Sequence, residues 1–477
     1  MLFRDCTRQQ IKKVFRSIFW PLLPASYTTR CYAPTVDRLV KPIFIEVTAL
    51  TGVAARLING RTLYSAFFLA IEKGRPTVYR QLTGQRLEDA RRKWRHIKWL
   101  IIDEISMVSY EILRSVQLRL QEFKNNVELF GGVNILLFGD IMQLPPVKGS
   151  WCFKQPICFQ AEPHLWRYFG LCELKANMRQ QNDADFVDLL NNLRVGQINI
   201  QQYEMLLNRT YVPLINEFAD GEAIRIFCTT QLVNSYNNKM IEKLAETIRI
   251  YIINARDESR ELATYGQKPP NAAIPTDPNN TGGLLFTLKL AVGSRIMLRS
   301  NLKVNEGLVN GSMGVVRGFE WQALRKDQKM VNYLKSLKEP NGYVAISPIS
   351  VVYQGNKGYG NVERTMLPLI LSWAVTVHKL QGVTVERAVV YLGKKVFAKG
   401  QAYVALSRVR SLQGLVISEI DQRKLFQRPC DENALAELQR LRSNNTFSTI
   451  GGAANSLALR IDASGRKRYR VAKILGE

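Results

Sequence analysis

Short apolar runs that close on polar residues recur along the chain. Ile43-Phe-Ile-Glu-Val47 leads into Thr48-Ala-Leu-Thr-Gly-Val-Ala-Ala55, whose Thr51 and Gly52 turn toward a helix. Trp99-Leu-Ile-Ile102 ends in Asp103-Glu104, and Val133-Asn-Ile-Leu-Leu-Phe138 ends in Gly139-Asp140. Helical stretches such as 109–124 lie between them, so the pattern predicts parallel strands with crossover helices. Polar residues at the carboxyl ends of such strands sit where open α/β sheets bind ligands. A second set of strands is expected at Ile224–Cys228, Leu369–Trp373 and Val389–Leu392. Between them, residues 308–366 are strand-prone and rich in glycine (Gly311, Gly314, Gly318, Gly342, Gly355, Gly360), which suggests a small inserted β-barrel. At the N-terminus, Ile11, Val14, Phe15, Ile18 and Phe19 have helical spacing that stops at Trp20-Pro21, and 21–42 reads as irregular. The last thirty residues, with Gly451-Gly452 and the basic Arg466–Arg470, read as a loose tail.

Composition narrows the function classes. The 477 residues carry 66 Lys+Arg against 40 Asp+Glu, a formal charge of +26. This excess points to a polyanionic partner, most simply nucleic acid. No apolar run approaches the ~18–20 residues of a membrane span. The seven cysteines (Cys6, Cys31, Cys152, Cys158, Cys172, Cys228 and Cys430) form no C-x-x-C pair, and there are three histidines, which disfavours a zinc module and fits a reducing compartment. The basic start (Arg4, Arg8, Lys12, Lys13, Arg16) faintly resembles a mitochondrial transit peptide.

Five segments carry chemistry. Asp103-Glu104 places two carboxylates after an apolar strand, where one can hold Mg²⁺ and the other orient or deprotonate an attacking water; a solvated strand end has the same appearance. Gly139-Asp140-Ile-Met-Gln143-Leu-Pro-Pro146 closes the next strand with a glutamine whose amide can sense a γ-phosphate; its plain reading is a strand-turn ended by prolines. Asn177-Met-Arg179-Gln180 and Ser407-Arg408-Val-Arg410 supply guanidinium groups able to stabilise a transferred phosphoryl group, although arginines in so basic a chain are usually solvated. Thr376-Val-His378-Lys379-Leu-Gln381-Gly382 offers donors suited to a nucleic-acid backbone, with a satisfied core histidine as the alternative for His378. His96 and His164 lack supporting neighbours and read as structural or exposed.

Taken in order, TALTGVAARLINGRT, LIIDEISM, FGDIMQLPPV, ANMRQ, LKVNEGLVNGSMGVV, WAVTVHKLQGVTV and GQAYVALSRVRSLQGL closely resemble the Pif-type DNA helicases of superfamily 1B, relatives of the RecD-like enzymes, with similar copies in Helitron-type mobile elements. The resemblance runs from about Pro34 to about Leu415. It implies an α/β fold of two RecA-like parallel-sheet domains, with ATP between them, single-stranded DNA across their tops and 5′→3′ translocation. It implies an atypical segment 1–40, a first domain 41–175 with a wedge insertion at about 61–96, a second domain 176–445 with the β-barrel insertion, and a basic tail 446–477. By motif, Asp103 would hold Mg²⁺, Glu104 would activate the hydrolytic water, Gln143 would sense the γ-phosphate, and Arg179 and Arg408 would reach it from the second domain. Thr48, Thr51, Gly52, Thr376, His378 and Lys379 would lie at the DNA strand. The partners implied are single-stranded DNA and DNA junctions, met by a monomer in DNA repair, recombination and telomere or genome maintenance. A nuclear setting is expected, with the mitochondrion as alternative.

One departure matters. A phosphate-binding loop of the form G-x-x-x-x-G-K-[ST] cradles nucleotide phosphates with backbone N–H groups and a lysine. The resemblance places it near residues 5–25, yet the first glycine of the chain is Gly52. The expectation is therefore weak ATP binding and no unwinding by this chain as written. A truncated or wrongly joined first exon, a decayed mobile-element copy, and an ATP-independent single-stranded nucleic-acid-binding protein all remain open. A RecA-like chaperone is disfavoured by SRVRS and VHKLQG together.

Overall fold

The computed structural model describes residues 45–69, 79–147, 149–174, 177, 179–180, 182–261, 264–303, 306–321, 332–338, 342–356, 358–427, 430–443 and 471–476. The N-terminal segment and most of the basic tail lie outside them, as do parts of the 61–96 and 308–366 insertions.

The first lobe opens with β1 (Ile45–Ala49), α1 (Gly52–Leu57), β2 (Arg61–Thr62), α2 (Leu63–Phe67), α3 (Gly84–Trp94) and β3 (Trp99–Asp103). It continues through α4 (Tyr110–Lys124), β4 (Asn134–Gly139) and β5 (Phe169–Leu174). Helix α4 is set by sequence: the Ser109 hydroxyl accepts from Ile112 N, and Asn125 ends the helix with φ 47°. Leu113, Val116, Leu120 and Phe123 recur at helical spacing and are buried against Leu100, Ile102 and Leu137 of the sheet.

The second lobe begins with α5 (Ala184–Val195), α6 (Ile200–Asn208), β6 (Ile224–Phe227) and α7 (Thr230–Ala245). Antiparallel strands follow: β7 (Tyr251–Asn254), β8 (Arg256–Ser259), β9 (Thr287–Leu290), β10 (Arg295–Leu298), β11 (Met313–Trp321), β12 (Asn332–Lys338), β13 (Gly342–Ile346), β14 (Ile349–Gln354), β15 (Asn361–Met366) and β16 (Leu369–Leu371). The lobe closes with β17 (Ala374–Thr376), β18 (Ala388–Leu392), α8 (Gln401–Leu406), β19 (Leu415–Ile420) and α9 (Gln422–Phe426), after which α10 (Glu432–Ser443) packs on the first core through Ala434, Leu438 and Leu441. A last strand, β20 (Val471–Gly476), returns to the first lobe.

Two parallel sheets result, ordered β2-β1-β3-β4-β20-β5 and β17-β6-β18-β19. Three antiparallel sheets, β13-β12-β11-β10-β16, β14-β15-β8 and β7-β9, make up the insertion. It draws on strands from Tyr251 onward, well before residue 308, because β8 and β10 pair with β15 and β11 across long sequence separations.

Two expectations change. Leu369–Trp373 is not a strand of the second parallel sheet: Leu369–Leu371 pairs antiparallel with β10, and the parallel strand is Ala374–Thr376 beside β6. A largely apolar stretch with a single Ser372 hides this switch, since period alone cannot divide its two halves. The tail also does not stay loose to its end. Val471–Gly476, a short apolar run broken by Lys473, pairs with β4 on one side and β5 on the other. Among the described residues no helix is long and apolar enough to cross a membrane.

Candidate nucleotide and nucleic-acid sites

The ends of β3 and β4 meet at the crevice between the lobes. Asp103 Oδ1 accepts from the Glu104 backbone N at 2.9 Å, and Glu104 sits in the left-handed region at φ 54°, ψ 51°. A non-glycine residue held there is strained, a condition common at functional sites. Beside it, Gly139 has φ 138°, and a Cβ at that position would come within 2.9 Å of Ile105 N. The close approach of the two strand ends therefore requires glycine.

The second lobe reaches into the same place. Gln381 Nε2 donates to Ser106 Oγ at 3.1 Å, a buried bond directly behind Glu104. A Cβ on Gly382 would lie 3.7 Å from Glu104 Oε1. The Arg179 guanidinium donates to the Ser407 carbonyl. Gln180 Nε2 donates to Val409 O at 2.7 Å. Arg408 donates to Val404 O at 2.9 Å and Ser407 Oγ at 2.7 Å. Both arginines are buried, so the structure gathers Arg179 and Arg408 around the end of α8.

Gln143 lies on the turn after β4. Its N donates to Asp140 O at 3.1 Å, and its buried side-chain Oε1 has no hydrogen-bond partner among the described residues. An unanswered buried amide oxygen fits a group that takes its partner from a ligand. The donor set suits the hydrolytic end of a nucleotide site. Asp103 could hold a divalent cation, which would neutralise phosphate charge. Glu104 can take a proton from water, and the arginines can stabilise charge on a phosphoryl group.

The DNA-side residues divide into two groups. Thr48 is fully buried and its hydroxyl donates to Ile101 O at 2.8 Å. This is a correction: Thr48 ties β1 to β3 and has no face to offer a strand of DNA. Thr51 caps α1, accepting from Ala54 N at 3.2 Å. Gly52 is buried against the insertion, since a Cβ there would meet Asn301 Oδ1 at 2.7 Å. Thr376 ends β17, His378 and Lys379 follow it, and all three are partly exposed. Burial lowers the His378 pKa, favouring the neutral imidazole. Lys379 is pushed down to about 8, first by burial and then by the neighbouring Arg299. Burial likewise lowers Arg299.

Comparisons with known proteins bear on this arrangement. The sequence pattern of the PIF1-like helicase family matches residues 38–204, and that of the DNA helicase Pif1 2B domain matches 286–319. The chain is 33% identical over 384 residues to the ATP-dependent DNA helicase PIF1 of Xenopus laevis, covering 80% of this chain and 56% of that protein. It is also 33% identical over 413 residues to the human protein of the same name, covering 85% of this chain and 58% of that protein. The chain belongs to the PIF1-like helicase family. It spans a little over half the length of these curated relatives. Among solved structures, the fold is similar to Pif1 helicase from Bacteroides in complex with ADP-AlF3 and ssDNA (TM-score 0.63, 28% identity, 84% of this chain and 88% of that chain). It is also similar to Pif1 helicase from Candida albicans (TM-score 0.61, 26% identity, 83% and 89%). The two parallel sheets are thus RecA-like cores carrying antiparallel insertions.

Several residues of this family member escaped sequence reasoning. Gln381 stood inside a recognised motif, but its bond to Ser106 crosses the crevice and leaves no local trace. Arg299 and Asn301 belong to no charged cluster in the sequence. Arg194 lies on α5 among many arginines, and only the fold shows its buried contact with Asp140. Asp140 was visible as half of a Gly-Asp turn, a signal that marked the place without its partner.

Proposed function

We propose that residues 45–443 form the two-lobed engine of an ATP-dependent 5′→3′ DNA helicase. Glu104 serves as base for the hydrolytic water and Asp103 as the Mg²⁺ ligand. Gln143 is the γ-phosphate sensor, and Arg179 and Arg408 are the arginines of the second lobe. The observation that carries this reading is the meeting of Gln381–Gly382 of the second lobe with Ser106 and Glu104 at the end of β3. Likeness to a relative solved with ADP-AlF3 and ssDNA supports a nucleotide and single-stranded DNA as its ligands. A relative solved at forked dsDNA supports junctions as a further substrate. Thr51, Gly52, Thr376, His378 and Lys379 are the proposed strand contacts. Repair, recombination and telomere maintenance in the nucleus are the proposed setting.

A second reading is favoured by one fact: no G-x-x-x-x-G-K-[ST] occurs in the 477 residues. Without that cradle the phosphates lose their main electrostatic anchor. The chain as given is then an ATP-deficient single-strand-binding protein, with a mobile-element copy as its source. A DNA-stimulated ATPase assay separates the two. Turnover abolished by Glu104→Gln establishes the enzyme and removes the second reading. Background turnover, unchanged by Glu104→Gln, removes the first for this chain. Binding to oligo-dT that barely weakens between 50 and 200 mM salt would sink both, since several phosphate contacts predict a steep loss.

A further inference from the structure

A buried polar cluster joins the lobes immediately beside the proposed sensor. Asp140 follows β4 of the first sheet, and its side chain is about 4% exposed, as is that of Arg194. Arg194 Nε donates to Asp140 Oδ2 at 3.0 Å and Nη2 donates to Oδ1 at 2.9 Å, a two-pronged pair. The Tyr403 hydroxyl donates to Oδ2 at 3.1 Å. The Met142 backbone N donates to Oδ1 at 3.0 Å, while Gln143 N donates to the Asp140 carbonyl. Asp140 therefore holds the Gln143 turn with its own backbone and near side chain, and the second lobe with the rest of its carboxylate.

The partners belong to the second lobe by packing. Arg194 lies on α5, whose Phe186, Leu189, Leu190 and Leu193 sit in the second core together with Tyr403, Val404 and Leu406 of α8. Leu144, just past the turn, is buried in that same core. At the start of α8, a Cβ on Gly400 would come within 2.9 Å of Met142 O, so helix and turn are pressed together. One turn beyond Tyr403, α8 delivers Ser407 and Arg408 to the Arg179 contact. Gln143 and Arg408 are thus linked through Asp140, Tyr403 and a single helical segment.

We propose that Asp140, Arg194 and Tyr403 are positioning residues that latch the lobes and fix the sensor Gln143 relative to Arg408. Resting on the hydrolytic reading for its purpose, the latch makes its geometric claim independently of nucleotide. Burial opposes a charged Asp140, yet the adjacent Arg194 charge and the bonds from Arg194, Met142 and Tyr403 keep its pKa below the ordinary carboxylate value. A charged carboxylate with every donor convergent on it is stiff, and loss of one donor loosens a shared hinge.

The test uses the full chain with Cys6, Cys31 and Cys158 changed to serine. Spin labels are placed at the exposed Val127→Cys of the first lobe and Ile200→Cys of the second. Electron–electron double resonance then reads the interlobe distance. The parent is expected to give one narrow distribution, and Tyr403→Phe and Asp140→Asn to broaden or split it. Leu425→Ala, which opens the second core at α9 and leaves all three latch side chains in place, controls for instability and is expected to leave the distribution narrow. A parent distribution retained in both latch variants overturns the proposal, as does equal broadening in the Leu425 control. Should Asp140→Asn fail to fold, Tyr403→Phe decides alone. Oligo-dT affinity with and without ADP and aluminium fluoride is measured in parallel. Absence of a nucleotide response in the parent counts against the hydrolytic reading, while the distance data still decide the latch.

Discussion

Two charged regions flank the crevice and are built on opposite logic. At the latch, the carboxylate of Asp140 is met by Arg194, Tyr403 and a backbone N–H, all inside the protein. Beyond β17, burial and then the neighbouring Arg299 lower Lys379, burial lowers Arg299, and neither makes an ion pair among the described residues. Among the described residues, the Arg299 side chain donates to the Asn279 side-chain oxygen at 3.2 Å and feels the charge of Asp277. The first region is complete in itself and resists separation. The second leaves cationic groups without an internal counter-charge, which on the proposed reading a DNA phosphate would supply. One basic chain thus buries arginine both with a paired carboxylate and without one, and burial alone does not distinguish the two.

The contrast can be broken most forcefully at Arg194. Arg194→Ala leaves a buried carboxylate without its cation and is expected to destabilise the fold by about 3–5 kcal/mol, measured by urea unfolding. A loss below about 1 kcal/mol would mean that Asp140 is already hydrated and the region is not self-complete. The pair also sets a pH sign. Because the folded pKa of Asp140 lies below 3.8, its contribution is present at neutral pH and is lost as pH falls through the folded value. Next in size, Tyr403→Phe removes one bond to a charged group, costing about 1.5–3 kcal/mol, with no effect expected on the salt dependence of DNA binding.

At the receptor face the order of effects reverses. Lys379→Ala is expected to leave the unfolding free energy within about 1 kcal/mol of the parent, or raise it, since a penalised buried charge is removed. Its oligo-dT binding should show a salt slope shallower by about 1. An unchanged slope would remove Lys379 from the strand. The pH dependence sharpens this further. Lys379 loses its charge as pH rises through about 8 in the free protein, so affinity should decline between pH 7 and 9, and Lys379→Arg should flatten that decline. The smallest expected effect is that of Gly52→Ala, where the new methyl group must displace the Asn301 side chain. A few-fold loss of oligo-dT affinity with unchanged stability would place the α1–insertion junction on the DNA path.

How much of this was legible beforehand follows from the range of the interactions involved. Asp103, Glu104, Gln143 and Arg408 stood in motifs because each lies at the end of a strand or helix that sequence pattern marks. Thr48 stood in a motif as well, yet the same pattern could not tell a hydroxyl facing solvent from one donating to Ile101. Leu369–Trp373 misled because one apolar run serves two sheets. Arg194 and Gln381 meet Asp140 and Ser106, partners 54 and 275 residues away, so no local window contains those contacts.

The last strand has a consequence for how such a molecule is made. β20 occupies an interior place in the first sheet, between β4 and β5, yet it is synthesised ~300 residues after β5. At about 5–20 residues per second, β4 and β5 leave the ribosome tens of seconds before the strand that joins them. Throughout that interval both present an unpaired edge, the kind of surface that chaperones cover and that aggregation exploits. The first lobe of this protein is therefore the last to be finished, and the order of the chain is not the order of the fold.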